Sequence, residues 1–134
     1  MGLRIALRDG EKVVVNGAVL RSIGRTELRV ESKAALLRGK DIMSPQNADT
    51  PARQLYFHTM MAYIDPEAVE AHQKGIIDAV QAVTGLLHSD EARGELMRYA
   101  RHAAGMAYYR ALGACRTLIG LEEQLLAEAT PPAG

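Results

Sequence analysis

The chain has 134 residues, with 16 Lys/Arg balanced by 16 Asp/Glu, and 48% of its residues are apolar, which is enough to build one ordinary domain and too much for wholesale disorder. Cys115 is the single cysteine, which excludes an internal disulfide and a Cys-based metal cluster and suits a reducing cytosol. No apolar run approaches the roughly 18 residues that span a bilayer, and Leu3 to Leu7 is interrupted by Arg4 and followed by Arg8 and Asp9, so a soluble cytoplasmic protein is expected.

The front of the chain reads as short strands. Leu3, Ile5 and Leu7 alternate with Arg4, Ala6 and Arg8, a period of two that puts the arginines on one face. Asp9-Gly10 is a turn signal, Val13 to Val15 a β-branched run, and Asn16-Gly17 a strong tight-turn dipeptide. Ala18 to Ile23 forms the next strand and Gly24-Arg25 the next turn; Thr26, Leu28 and Val30 alternate with Glu27, Arg29 and Glu31, and a fifth strand runs from Ala34 to Arg38. Connections this short exclude crossover helices, so the strands form a small antiparallel meander or barrel.

Helix signals begin after Met43. Ser44-Pro45, Thr50-Pro51 and Asp65-Pro66 each place a capping residue before a proline at the first helical position. Thr50-Pro51 opens a helix to about Ile64, and Asp65-Pro66 a longer one to about Leu87 with Val69, Gln73, Ile76, Val80, Val83 and Leu87 as its seam. Ser89 caps a third, which weakens near Ala103 to Gly105, and a fourth spans about Met106 to Ala127 with Tyr108, Leu112, Cys115 and Ile119 on one stripe. The fold class is therefore α+β: a β-rich region at 1–43, a region of about four helices at 44–129, and a frayed tail at 130–134. Gly113 and Gly120 inside the last helix cost about 1 kcal/mol each relative to Ala; packing of another helix of the same chain would offset this, and a dimer or partner helix is the other reading. Glu122-Glu123 reads as a solvated face.

Catalytic patterns are scarce. His58, His72, His88 and His102 lie too far apart for a helical zinc pair, Cys115 sits among apolar neighbours, and there is no phosphate-binding glycine loop or nucleophile elbow. Neither an enzyme nor a cofactor or metal site is expected. The charge is more informative, because the overall zero is an average. Residues 1–43 hold nine Lys/Arg against five Asp/Glu, a net of +4, and residues 44–134 hold seven against eleven, a net of −4. Arg4 and Arg8, then Arg21, Arg25 and Arg29, then Lys33, Arg38 and Lys40 distribute cations over the strands. Arginine on a β surface contacts phosphates and stacks on splayed bases, although charged residues also protect edge strands. No Phe, Tyr or Trp precedes Tyr56, so the front half carries no base-stacking aromatic of its own.

Six blocks in fixed order carry a family resemblance: Gly10-Glu11-Lys12-Val13, Asn16-Gly17-Ala18-Val19, Lys40-Asp41-Ile42-Met43, Asn47-Ala48-Asp49-Thr50-Pro51-Ala52-Arg53, Leu55-Tyr56-Phe57 and Tyr63-Ile64-Asp65-Pro66. Together they resemble the FlbT family, and the likeness extends more loosely through Ala107-Tyr108-Tyr109-Arg110-Ala111-Leu112, with little of it between about Ala68 and Arg101. The resemblance implies a post-transcriptional regulator that associates with the 5′ untranslated leader of flagellin mRNA and promotes its decay. Repression is the usual sign, while some such proteins support flagellin expression. The partners it implies are the flagellin mRNA leader and a FlaF-like flagellar regulator; self-association into a homodimer is a further expectation, and no membrane is.

The front segment is also similar, more faintly, to the CsrA family of small β-rich RNA-binding dimers, in which arginines on the first and last strands form the RNA surface. Arg8, just before Asp9-Gly10-Glu11, matches the arginine that precedes Gly-Glu there. Leu7 and Gly39 fall where that family has further arginines, with Arg38 and Lys40 beside the latter, so the basic surface here would be a shifted one. The candidate RNA-binding residues are Arg4, Arg8, Arg25, Arg29, Arg38, Lys40 and Arg53. An adaptor or flagellin-directed chaperone that acts through protein contacts alone is the alternative.

Overall fold

The computed structural model describes residues 3–129. Five antiparallel strands, β1 (Leu3–Leu7), β2 (Lys12–Val15), β3 (Ala18–Arg21), β4 (Thr26–Val30) and β5 (Leu36–Arg38), precede four helices, α1 (Pro51–Ile64), α2 (Val69–Leu86), α3 (Asp90–Ala104) and α4 (Tyr108–Ala129). This is the α+β arrangement the sequence predicts. The expected frayed tail, 130–134, lies outside the described residues.

The strand pairing is not that of a sequential meander. β2 lies at the centre of a three-stranded sheet, β3-β2-β5, while β1 and β4 form a separate two-stranded ribbon. Asn16 and Gly17, at φ +50° and +87°, close the β2–β3 hairpin, as the Asn-Gly pair dictates. Gly17 is required twice over, because a Cβ there would also lie 2.9 Å from the Ile64 carbonyl oxygen. Alternation along β2 divides the core in two. Val13 packs with Ile5 and Leu7 of the ribbon, and Val14 turns the opposite way into the helical core with Leu37. The three-stranded sheet is thus covered by the ribbon on one face and by helices on the other. β3 is an edge strand exposed along its length.

The Thr50 side chain accepts the Arg53 N–H at 3.3 Å and caps α1, and Ser89 Oγ accepts the Ala92 N–H at 3.1 Å and caps α3, both as predicted. Of the other two Pro signals, Ser44-Pro45 opens only a single 3-10 turn, Pro45–Asn47, while Asp65-Pro66 opens the turn Pro66–Ala68 that runs directly into α2 as expected; neither has a side-chain cap. Asp65 instead places Oδ2 3.1 Å from His72 Nε2. α3 ends at Gly105, and Met106 with φ +57° reverses the chain into α4.

α1 packs against α2 and α4, and α3 packs on α4. Tyrosines fasten this bundle to itself and to the sheet. The Tyr56 hydroxyl donates to the Asp41 carbonyl at 2.6 Å, Tyr63 Oη accepts the Leu36 N–H at 2.9 Å, and Tyr99 Oη shares a 2.6 Å hydrogen bond with Thr59 Oγ1. Burial pushes all three phenol groups above their ordinary pKa. Cys115 is buried as expected, and desolvation raises its thiol to about 12, leaving it un-ionised.

Two expectations about α4 are corrected. Glu122 is not on a solvated face: it is 1% exposed, and Oε2 accepts the Ala52 N–H at 2.9 Å. The first turn of α1 has N–H groups without intrahelical partners and a positive dipole end, so a carboxylate from the neighbouring helix is drawn inside. Only Glu123 stays outside, paired with Arg53. Nor, among the described residues, does another helix pack on Gly113 or Gly120, because an added Cβ at either would meet nothing within 4 Å.

Candidate nucleic-acid interface

The turns at one end of the ribbon are tied together by the backbone. Gly10 N–H donates to the Ser22 carbonyl at 2.8 Å, Ser22 N–H to the Glu11 carbonyl at 2.9 Å, and Gly24 N–H to Asp9 Oδ1 at 2.8 Å. Asp9-Gly10 and the Ser22–Gly24 turn therefore form one rigid corner. The corner fixes the two residues that flank it, Arg8 after β1 and Arg25 before β4. Both line a cleft of about 680 Å³ with Glu11, Glu27 and Arg38. An adjoining cleft of about 600 Å³ shares Arg8, Glu11 and Arg38 and adds Lys40.

Arg38 and Glu11 have a structural part in this arrangement. Arg38 bonds Glu11 Oε2 through Nη2 at 2.8 Å and Nε at 3.3 Å, and Nη2 also donates to the Ala6 carbonyl at 2.6 Å. One guanidinium thus fastens the three-stranded sheet to the ribbon. Glu11 Oε1 accepts the Arg8 N–H at 3.1 Å. That bond first, and Arg38 next, hold its carboxyl below the ordinary carboxylate value.

Arg4 and Arg29 stand directly opposite each other on the outward face of the ribbon, a like-charge cross-strand pair of the kind that destabilises a sheet. Glu27, diagonal to Arg4, relieves it in part at 3.4 Å, with both side chains well exposed. Arg8, Arg25, Arg29 and Lys40 have no ion pair among the described residues. Arg53 lies apart from this end on the first turn of α1, between Asp49 at 2.9 Å and Glu123 at 3.1 Å. It shares a third cleft, of about 420 Å³, with Lys40 and with Arg116, which pairs with Asp41 at 2.7 Å.

Of the seven candidates, the fold brings Arg8, Arg25, Arg38 and Lys40 to one end, places Arg4 and Arg29 on the adjoining face, and sets Arg53 at the junction with the helices. Sequence reading missed Arg116, whose position on a helix far along the chain gives no local signal. It also missed the Glu11 clamp, which the Gly10-Glu11 pair could have flagged.

The model of the family described as flagellar protein FlbT matches residues 3–126. The chain belongs to the FlbT family. It is 35% identical over 127 residues to the flagellum biosynthesis repressor protein FlbT of Caulobacter vibrioides, covering 94% of this chain and 90% of that protein. It is 36% identical over 131 residues to the probable flagellum biosynthesis repressor protein FlbT of Agrobacterium fabrum, covering 96% and 88%. A probable FlbT repressor of Caulobacter sp. strain K31 is 35% identical, with 94% and 97% covered. No solved structure matches the chain. No helix among the described residues is long and apolar enough to cross a bilayer.

Proposed function

We propose that this FlbT-family chain is a cytoplasmic post-transcriptional repressor of flagellin synthesis, which engages the 5′ untranslated leader of flagellin mRNA and promotes its degradation. The observation that carries the reading is the convergence of Arg8 and Arg25 on one cleft, bordered also by Glu11 and Glu27, with Lys40 in the adjoining cleft and no side-chain salt bridge to any of the three among the described residues. Exposed cations that flank a hydrogen-bonded corner and make no side-chain salt bridge among the described residues are suited to phosphate oxygens, and arginine serves two of them at once. The opposed Arg4 and Arg29 would likewise be relieved by a polyanion. The repressor names of the relatives support the direction of regulation. The chain acts in this reading by binding and not as an enzyme. Filter binding of the purified chain to the flagellin leader, against an unrelated RNA of equal length, tests it. Preferential retention of the leader is expected, and equal or absent retention of both contradicts direct recognition.

A second reading, an adaptor or chaperone working through protein contacts, is favoured by one feature. Val19, Leu20 and Ile23 are 64%, 48% and 94% exposed on edge strand β3 and the turn after it, and an exposed edge with apolar side chains on both of its faces suits addition of a strand from a second copy of the chain or from a FlaF-like regulator. Size-exclusion chromatography with light scattering, for the chain alone and mixed with that regulator, separates these occupants.

A further inference from the structure

Although the first 43 residues contain no aromatic side chain, the helices carry two to the edge of the ribbon. Tyr63 of α1 and Tyr109 of α4 line a groove of about 430 Å³ whose other walls include Leu3, Ile5, Arg4 and Lys40. Their ring centroids are 5.5 Å apart. Tyr63 is fixed by the hydrogen bond from the Leu36 N–H, so it braces its neighbour. Tyr109 is 49% exposed, and its hydroxyl makes no hydrogen bond among the described residues.

A half-exposed, braced aromatic ring beside an apolar floor, with cations at the rim, is the arrangement that receives an unstacked base while its phosphates meet the charges. The volume is in the lower part of the range of roughly 300–1,000 Å³ typical of small-ligand sites. Asp41 also borders the groove, but it is buried and its Oδ1 is held by Arg116 at 2.7 Å, which leaves the rim positive in effect. We infer that Tyr109 is a stacking platform for one base of single-stranded RNA, continuous with the phosphate contacts at Lys40 and Arg4. This rests on the RNA-binding reading above and adds to it an aromatic contact supplied by the helical half.

The test compares the full-length wild-type chain with Tyr109→Ala and Tyr109→Phe, each first confirmed as folded by circular dichroism, for affinity to the flagellin leader at two salt concentrations. Tyr109→Ala should bind roughly five- to 150-fold more weakly, the loss of one base–aromatic stack. Its salt dependence should be unchanged, because no charge is lost. Tyr109→Phe should stay near wild type. Leader substituted with 4-thiouridine should crosslink to the α4 peptide that contains Tyr109 in the unaltered chain, which needs no variant to fold. The inference is overturned if Tyr109→Ala stays within twofold of wild type, if Tyr109→Phe loses as much as Tyr109→Ala, or if the crosslinks avoid that peptide; RNA binding itself then stands. Loss of a FlaF-like regulator with leader affinity intact would make the groove a protein-docking surface and also overturn it. If the wild-type chain binds no leader at all, both readings fail.

Discussion

The Glu122 carboxylate reaches across from α4 to accept the Ala52 N–H at 2.9 Å, while its second oxygen, Oε1, is buried without a hydrogen-bond partner among the described residues. This relationship couples the end of the last helix to the start of the first. Replacing Glu122 with Ala leaves a helix-terminal N–H without an acceptor and a cavity behind it. A loss of about 2–4 kcal/mol in urea unfolding is expected. A change below about 0.5 kcal/mol would show that the carboxylate is not a structural cap.

Arg38→Ala and Arg8→Ala should separate architecture from recognition. Removing Arg38 frees both Glu11 Oε2 and the Ala6 carbonyl, so the melting temperature should fall by about 3–6 °C. Removing the exposed Arg8 should change it by about 1–2 °C at most. Equal shifts for the two variants would contradict the division of roles.

Glu11 makes the contribution of that clamp depend on pH. Its carboxyl is held below the ordinary value of 4.5, by the Arg8 N–H first and Arg38 next. A folded-state pKa below the unfolded one means the stabilisation is present above the unfolded value and lost as pH falls through the folded one. The melting-temperature gap between wild type and Glu11→Gln should therefore be widest at neutral pH and narrow over the window below pH 4.5. A gap that is constant over that window would show that ionised Glu11 adds nothing.

The glycines of the helices should respond in opposite directions. Gly113 and Gly120 face open space, so alanine at either should stabilise the chain by about 0.5–1 kcal/mol. At Gly75 a Cβ would strike the His58 ring, and alanine should cost about 1–3 kcal/mol through that overlap. Chemical unfolding of the three variants checks the signs. A stable Gly113→Ala or Gly120→Ala chain that fails to bind a second copy or a partner helix would show what those glycines are kept for.

Local signals were legible in the sequence where a single residue or short repeat decides the conformation. The alternation of Leu3, Ile5 and Leu7, the Asn16-Gly17 turn and the Thr50 and Ser89 caps each fix their own surroundings, and each element is where its signal puts it. Pairing was not legible, because β1 meets β4 across two intervening strands and alternation does not say which strand lies alongside. Glu122 was misread for a similar reason: its acceptor role depends on Ala52, 70 positions away. Arg38 looks like Arg8 in sequence, and only the position of Ala6 and Glu11 distinguishes a fastening guanidinium from an unpaired one. The aromatic contribution was hidden likewise, since Tyr63 and Tyr109 belong to helices that the sequence gives no reason to bring against the ribbon.

The central claim is that the unpaired arginines at the ribbon corner contact RNA phosphates, and the salt dependence of leader binding measures this most directly. Each phosphate contact to single-stranded RNA adds about 0.7 to the slope of log affinity against log salt. The Arg8→Ala, Arg25→Ala double variant, with its melting temperature preserved, should therefore bind the flagellin leader more weakly and with a slope shallower by about 1.4. An affinity within twofold of wild type together with an unchanged slope would contradict the claim.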